Sequence, residues 1–193
     1  GQWLPEFAEF PRSKVLSWIR IPCFFTTVFT MVDQRVQKLA QLSIRYSVDV
    51  KPNEQVVIRG SEQAFPLIRE LYKECLLRDA QPMVMANLDT QYTFYKHAKE
   101  HQLKFVSPII KFIAENVDVS IGIFCEPSPK ELTSIDASKM RIHAAAGREL
   151  SEIFYKRVAE GKLRWTGLPF PINAQAQEAS MALEEYESFV YDS

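Results

Sequence analysis

The chain has 193 residues, of which 47% are hydrophobic and 24% are charged. This composition is typical of a soluble globular protein. Its 23 Lys and Arg residues nearly balance its 24 Asp and Glu residues, which leaves a net charge of −1. Proteins that bind nucleic acid usually carry a basic excess or a basic stripe, and this sequence shows neither. We therefore expect no nucleic-acid partner.

The first thirty residues differ in composition from the rest of the chain. They are rich in aromatic side chains, and three basic residues precede an apolar run over residues 21–29. That order is similar to a signal peptide, but the run contains Pro22 and lacks a small-x-small cleavage site. The run is also too short to span a bilayer, so we expect no membrane partner. We interpret residues 1–30 as a leader or an artificial extension with little fixed structure. The α/β domain is then expected over residues 31–193.

Helical and strand patterns alternate along the rest of the chain. Apolar residues at spacings of three and four indicate helices, β-branched runs indicate strands, and Pro, Gly and Asn separate them. In chain order the patterns predict a helix capped by Asp33, a strand at 55–59 and a helix after Pro66. Next come a strand at 83–86 bounded by Pro82 and Asn87, a helix capped by Asp89 or Thr90, and a helix from Pro108. The last predicted elements are a strand at 117–124, a helix over 138–160 ended by Gly161, a strand at 162–168 and a helix at 183–191.

This alternation determines the predicted fold class. Strands that alternate with helices of ten or more residues form right-handed βαβ units, which build a parallel sheet. Parallel sheets are buried on both faces. The sequence therefore predicts an α/β fold of three layers, with a mostly parallel sheet and helices on both of its faces.

The exit of the first predicted strand is where a nucleotide cofactor would bind. The run Arg59-Gly60-Ser61 supplies one glycine, whereas a dinucleotide fingerprint needs three, and no Gly-Lys-Ser/Thr follows. We therefore expect no Rossmann cofactor. Arg59 can pair with a carboxylate, although an arginine at a strand end is more often solvated.

Two histidines invite a metal hypothesis. His97 and His101 lie four residues apart with Glu100 between them, so a continuous helix would place both on one face. A zincin needs its glutamate directly after the first histidine, and that position is Ala98. The lysines around them oppose cation binding. We interpret this segment as a solvated helix end, because metal sites need more convergent ligands. We interpret His143 as an ordinary surface or edge residue.

The three cysteines predict no disulfide framework, because their number is odd and no C-x-x-C pair occurs. The three cysteines are Cys23, Cys75 and Cys125. We expect Cys75 and Cys125 to be buried, reduced thiols, which favours a reducing, cytoplasmic setting. There is no Gly-x-Ser-x-Gly motif, and neither thiol has a histidine nearby in the sequence to activate it. We therefore expect no catalytic, cofactor-binding or metal-binding residue in this chain.

Most of the chain resembles a known family of metallopeptidases. The most specific segments are Leu163-Arg164-Trp165, Pro171, the run 174–181 and the run 183–190; the runs 32–40, 46–60 and 66–72 add to the likeness. In these segments the chain resembles the opening half of the aminopeptidase T and aminopeptidase S family. It departs from the family at Ala179-Ser180-Met181, where Ala-Gly-Met is usual, and at Ile172-Asn173, where Thr-Pro is usual.

The resemblance implies an exopeptidase that removes N-terminal residues from peptides with two divalent metal ions, for which cobalt, zinc and magnesium are candidates. Such ions lower the pKa of a bridging water and polarise the scissile carbonyl. The family's Glu, His and Asp ligands lie in its C-terminal half, which we expect this chain to lack. We therefore expect this fragment to bind no metal and to be inactive alone. Peptide substrate would bind through the missing half.

The resemblance also implies a cytoplasmic homodimer whose active sites face a sheltered interior. This domain would form part of the walls and of the substrate approach, with the segment from Trp165 to Asn173 facing the other half. An ordinary core tryptophan is the alternative for Trp165. For the whole chain, the alternatives are a stand-alone α/β binding or interaction module without catalysis and a nucleotide-dependent enzyme. The single Gly60 disfavours the nucleotide-dependent enzyme.

Overall fold

The computed structural model describes residues 33–125, 128 and 130–192. The predicted leader over residues 1–30 and the predicted domain start at Met31 lie outside these residues. Over the described ranges, no helix combines the length and the hydropathy that crossing a membrane requires.

The described residues contain one sheet of four parallel strands. The strands are β1 (Gln55–Ser61), β2 (Gln81–Asn87), β3 (Val119–Phe124) and β4 (Arg164–Pro169). Their order across the sheet is β2-β1-β3-β4, and every neighbouring pair is parallel. The predicted parallel sheet is therefore confirmed, with β1 and β3 in its centre.

The α-helices of the described residues are α1 (Gln34–Leu42), α2 (Phe65–Leu76), α3 (Gln91–His97), α4 (Glu100–Leu103), α5 (Pro108–Asn116), α6 (Ala137–Ala146), α7 (Arg148–Ala159), α8 (Asn173–Glu178) and α9 (Leu183–Tyr191). The N-cap predicted for the first helix is confirmed, because the Asp33 carboxylate accepts a hydrogen bond from the Arg35 N–H at 2.8 Å. A π-helical turn over Ser43–Ser47 continues α1.

One face of the sheet carries the larger core. Val56 and Ile58 of β1 lie there with Ile121 of β3, and α1 and α2 cover them with side chains such as Ala40 and Leu71. All five of these residues are at most 1% exposed. Burial of this apolar area provides most of the driving force for folding.

Gly60 allows the close approach of α2 to the sheet. A Cβ atom at this position would lie 3.2 Å from Cβ of Ile123 and 3.4 Å from Cδ1 of Ile68. The single glycine of the first strand exit therefore serves packing on the larger core.

The opposite face of the sheet carries a smaller core. Val57 of β1 packs there with Val117 and Leu163, and α5 and α7 cover this cluster with side chains such as Ile113 and Phe154. Helices therefore lie on both faces, and the predicted three-layer α/β fold is confirmed.

The helix predicted over residues 138–160 is divided in the structure. α6 ends before Gly147 and α7 begins after it. Glycine lowers the stability of a helix interior, and the two parts have different neighbours, because α6 packs on α4 while α7 packs on α5. The prediction of one long helix is wrong for this reason, although Gly161 does follow the end of α7 with a left-handed φ of 68°.

Pro82 lies inside β2, whereas the sequence predicts it as the boundary before this strand. β2 is an edge strand, and proline is tolerated there when its missing N–H would face away from the sheet. The Gln81 N–H donates to the Glu54 carbonyl on the β1 side at 2.8 Å. Since neighbouring N–H groups of a strand point to opposite sides, Pro82 removes an outward donor and no ladder hydrogen bond.

An ion pair with a buried carboxylate joins the first helical segment to α2. The Glu74 side chain is 2% exposed, whereas that of Arg45 is 52% exposed. The Glu74 carboxylate accepts hydrogen bonds from Nε of Arg45 at 3.0 Å and from Nη2 at 2.8 Å, and from Nε2 of Gln41 at 3.4 Å. A carboxylate taken out of water needs such partners, so Arg45 holds the π-helical turn against α2.

We expect Arg45→Met to lower the free energy of unfolding by about 2 kcal/mol, because it leaves the Glu74 carboxylate buried without its charged donors. Lys104→Met is the control, because it removes an ion pair with Glu100 in which both side chains are exposed, and such pairs contribute at most about 1 kcal/mol. Urea unfolding followed by circular dichroism measures both changes. Equal losses for the two variants would contradict the structural role of Arg45.

Candidate functional site

A crevice of about 310 Å³ lies where β1, β2 and β3 end. Its polar lining includes Ser61 from the end of β1, Asn87 and Asp89 from the end of β2, and Glu131 from the segment before α6. In an open α/β sheet, ligands bind at the carboxyl ends of the strands where the strand order reverses. That point lies between β1 and β3 here, since β2 follows on one side and β4 on the other.

Ser61 links the two central strands in this crevice. Its hydroxyl donates to the Cys125 carbonyl at 3.0 Å, and its Oγ lies 3.1 Å from the Cys125 Sγ. The Cys125 Sγ also lies 3.8 Å from the carbonyl oxygen of Ile123. Cys125 is 2% exposed. These partners supply no base that would activate the thiol, so the contact fixes the ends of β1 and β3.

Two carboxyl groups meet at the mouth of the crevice. Burial raises the pKa of Glu131 first, and the charge and the hydrogen bond of Asp89 raise it further. Like charges that share a site favour the protonated form of one of them. Glu131 therefore binds its proton more tightly than an isolated glutamate does, with Asp89 as its hydrogen-bond partner.

Sequence patterns point to Asp89 only as a possible helix cap and do not single out Glu131. The signal available in the sequence is the position of Asp89 directly after a strand, where parallel sheets place their functional side chains. Glu131 begins a 3₁₀-helical turn (Glu131–Ser134) far along the chain, and no periodicity connects it with Asp89.

The two carboxyl groups do not form a catalytic metal centre by themselves. Among the residues that the structure describes, no group of three or more His, Cys, Asp or Glu side chains is placed to hold a metal ion. Catalytic zinc usually takes three protein ligands and keeps an open position. The ligand set of the described chain therefore does not fit such an ion.

The structure separates the two candidate histidines. His97 is the last residue of α3 and His101 lies in α4, because Ala98 between them is extended, with φ −63° and ψ 136°. The two rings therefore do not share one helical face. Both histidines are exposed, and Glu100 pairs with Lys104, as expected for a solvated helix end.

His143 is half-buried and connects two helices. Its Nδ1 lies 2.8 Å from the Tyr95 hydroxyl of α3, and its ring centroid is 5.1 Å from that of Phe94. The interpretation of His143 as a plain surface or edge residue missed this packing role, because contacts between α3 and α6 leave no periodic signal in the sequence.

The prediction of buried thiols is confirmed for Cys75 and Cys125, which are both free and buried, whereas Cys23 lies outside the described residues. Burial, together with the neighbouring charge of Glu74, raises the pKa of Cys75 to about 12. A thiol that stays protonated is a poor nucleophile, so Cys75 serves packing.

Trp165 lies on β4 with 52% of its surface exposed. Its ring meets that of Phe154 in α7 edge to face, with centroids 6.1 Å apart. The alternative of an ordinary core tryptophan is therefore wrong. About half of the Trp165 surface is therefore accessible.

The fold has counterparts among known proteins. A family model described as thermophilic metalloprotease (M29) matches residues 32–193. This chain belongs to that family. No curated protein sequence matches the chain.

A solved structure supports the fold of this M29 domain. The chain is similar to wild-type AmpT from Thermus thermophilus, with a TM-score of 0.68 and 18% identity over 82% of this chain and 42% of AmpT. The chain thus spans less than half the length of that structure. A crystal structure of CurK enoyl reductase gives a TM-score of 0.34 and 12% identity over 80% of this chain and 48% of its own.

We expect Asp89→Asn to lower the pKa of Glu131 towards its ordinary value, because the substitution removes the neighbouring negative charge. A raised carboxyl pKa means that the folded state binds this proton more tightly than the unfolded state. The wild type therefore gains stability as the pH falls through the raised pKa, and the variant loses that gain.

Titration of ¹³C-labelled Glu side chains by NMR measures this change. Asp79→Asn is the matched control, because Asp79 is exposed and precedes β2 at the opposite end of the strand. An unchanged Glu131 titration in Asp89→Asn would refute the coupling of the two carboxyl groups.

Proposed function

We propose that this chain is an α/β domain of a divalent-metal-dependent aminopeptidase, which hydrolyses N-terminal residues from peptides. Membership of the thermophilic metalloprotease (M29) family over residues 32–193 carries this proposal. The shared fold with AmpT over 82% of the chain supports it at the level of architecture.

The catalytic ligands come, in this proposal, from a part of the enzyme beyond the described residues. Two-metal hydrolysis needs several convergent Glu, His and Asp side chains, whereas Asp89 and Glu131 bring only two carboxyl groups together at this crevice. The span of 42% of AmpT leaves room for a further domain in an enzyme of that length. By itself, the chain is then not catalytic.

In this proposal, the domain forms part of the path by which the peptide substrate reaches the active site. The crevice at the ends of β1, β2 and β3 supplies a concave, polar wall. The half-exposed ring of Trp165 supplies apolar surface of a kind that is enriched at interfaces. In this arrangement the segment from Trp165 to Asn173 faces the catalytic part, and the walls admit short or unfolded peptides.

A cytoplasmic homodimer completes the proposal. The free, buried thiols of Cys75 and Cys125 fit a reducing compartment, where disulfides are rare. The homodimer follows from the family resemblance, in which two copies enclose the active sites.

We expect the protein encoded by the complete reading frame around this chain to release the N-terminal residue of a short peptide such as Leu-Gly-Gly. The reaction should need cobalt, zinc or magnesium and should stop with a chelator, because removing the ions removes the activated water. The 193-residue chain assayed alone should release no amino acid. Mass spectrometry of the peptide mixture measures both reactions.

The N-acetylated form of the same peptide is the control, because an exopeptidase of this class needs a free amino terminus. Hydrolysis of both peptides, or no metal-dependent hydrolysis by the longer protein, would overturn the aminopeptidase proposal. Metal-dependent release of an amino acid by the 193-residue chain alone would overturn the proposal that the catalytic ligands lie in another part of the enzyme. A reading frame that supplies no further ligands would favour the stand-alone binding module.

A further inference from the structure

Arg59 occupies an unusual place on the smaller-core face of the sheet. It follows Val57 by two residues in β1, so its side chain lies on the face that α5 and α7 cover. Its partners across the sheet are Met85 on one side and Gly122 on the other. Gly122 in turn pairs with Gly167 of β4. Arg59 therefore lies beside one position without a side chain, Gly122, whereas the Phe124 ring covers the position of Gly167.

The Arg59 guanidinium has no partner among the described residues. Its Nε is buried without a hydrogen bond, and the side chain takes part in none of the ion pairs of that part of the chain. Burial lowers the pKa of Arg59. The sequence favours a solvated arginine at this strand end, whereas in the structure Arg59 is partly buried and its Nε is enclosed. Partial desolvation of a guanidinium is unfavourable without a compensating partner, and no contact among the described residues supplies that compensation.

A cleft of about 210 Å³ lies in front of this guanidinium. Its lining is mainly apolar, with Ile110 from α5, Phe154 from α7 and Leu163, and Ser120 and Ser151 also line it. Acidic residues are absent from this lining. A mainly apolar cavity with a few convergent polar groups is the usual form of a small-molecule site.

The space beside Arg59 remains open on the sheet itself. A Cβ atom placed on Gly122 would meet no other atom within 4 Å. Gly122 is partly exposed, so the space beside Arg59 on β3 is accessible from solvent and is not filled by a protein side chain.

We propose that this cleft binds the carboxylate of a small organic acid, with Arg59 as the ionic partner and the apolar lining around the acid's hydrocarbon part. A planar guanidinium matches a carboxylate with two parallel hydrogen bonds, and the serine hydroxyls can donate to the remaining lone pairs. The class includes short peptides whose C-terminal residue has an apolar side chain.

Charge and size favour a carboxylate over a phosphate. The lining carries one positive side chain, which balances a single negative charge, whereas a phosphate group carries up to two at neutral pH. The apolar surface of Ile110, Phe154 and Leu163 would remain uncovered by a phosphate ion and is covered by an aliphatic side chain.

The test compares two probes that differ only in charge, 4-methylpentanoate and 4-methylpentanamide. We expect the acid to raise the melting temperature of the 193-residue chain and the amide to leave it unchanged, because stabilisation follows binding to the folded state. Arg59→Met should weaken acid binding roughly 10- to 100-fold, since hydrogen bonds to charged groups are the strong ones. Isothermal titration calorimetry measures the dissociation constants.

Arg69→Met is the matched control, because Arg69 is exposed on α2, and it should keep the affinity of the wild type. Without ligand, Arg59→Met should melt no lower than the wild type, because the guanidinium has no partner to lose among the described residues. A second comparison uses the dipeptide Gly-Leu and its C-terminal amide, and it tests whether a peptide carboxylate binds as a simple acid does. Binding of Gly-Leu but not of its amide would place a peptide C-terminus in the cleft.

Equal binding of acid and amide, or unchanged acid binding in Arg59→Met, would overturn the proposal. So would a lower melting temperature of unliganded Arg59→Met together with no acid binding by the wild type, because Arg59 would then be paired within the protein. Inorganic phosphate that binds in place of the acid would overturn the choice of a carboxylate. These measurements require no hydrolysis, so their outcome is independent of the proposed aminopeptidase activity.

Discussion

The central place of β1 is the constraint on which the rest of the structure depends. β1 pairs with β2 on one side and with β3 on the other, so each of its residues has a fixed face. Val56 and Ile58 enter the larger core, whereas Val57 and Arg59 turn towards α5 and α7. A register shift of one residue would move every one of these side chains to the wrong face.

The fold could be predicted from the sequence because its signals are local. β-branched runs, helical spacing and the Asp33 cap identify most elements without any knowledge of contacts. The wrong predictions of element boundaries occur where tertiary packing determines the local structure. Gly147 divides a helix because its two parts pack on different neighbours, and Pro82 is accepted within β2 because the strand lies at the edge of the sheet.

The candidate sites could not be predicted in the same way, because they join distant segments. Ser61 meets Cys125 only when β1 and β3 become neighbours, and Asp89 meets Glu131 only when a loop returns to the end of β2. Arg59 is visible in the sequence, but its burial is not. That burial depends on α5 and α7, whose packing over the smaller core has no signature near Arg59.

Pro82 has a consequence for how copies of this domain can associate. The N–H groups of β2 that point away from β1 belong to residues 82, 84 and 86, and the first of these is a proline. Within the described part of the chain, the outer edge of β2 therefore keeps Val84 and Ala86 as outward donors. Proline is one of the residues by which edge strands hinder pairing with another sheet edge. Pro82 thereby makes this edge a poorer template for a strand of a second copy.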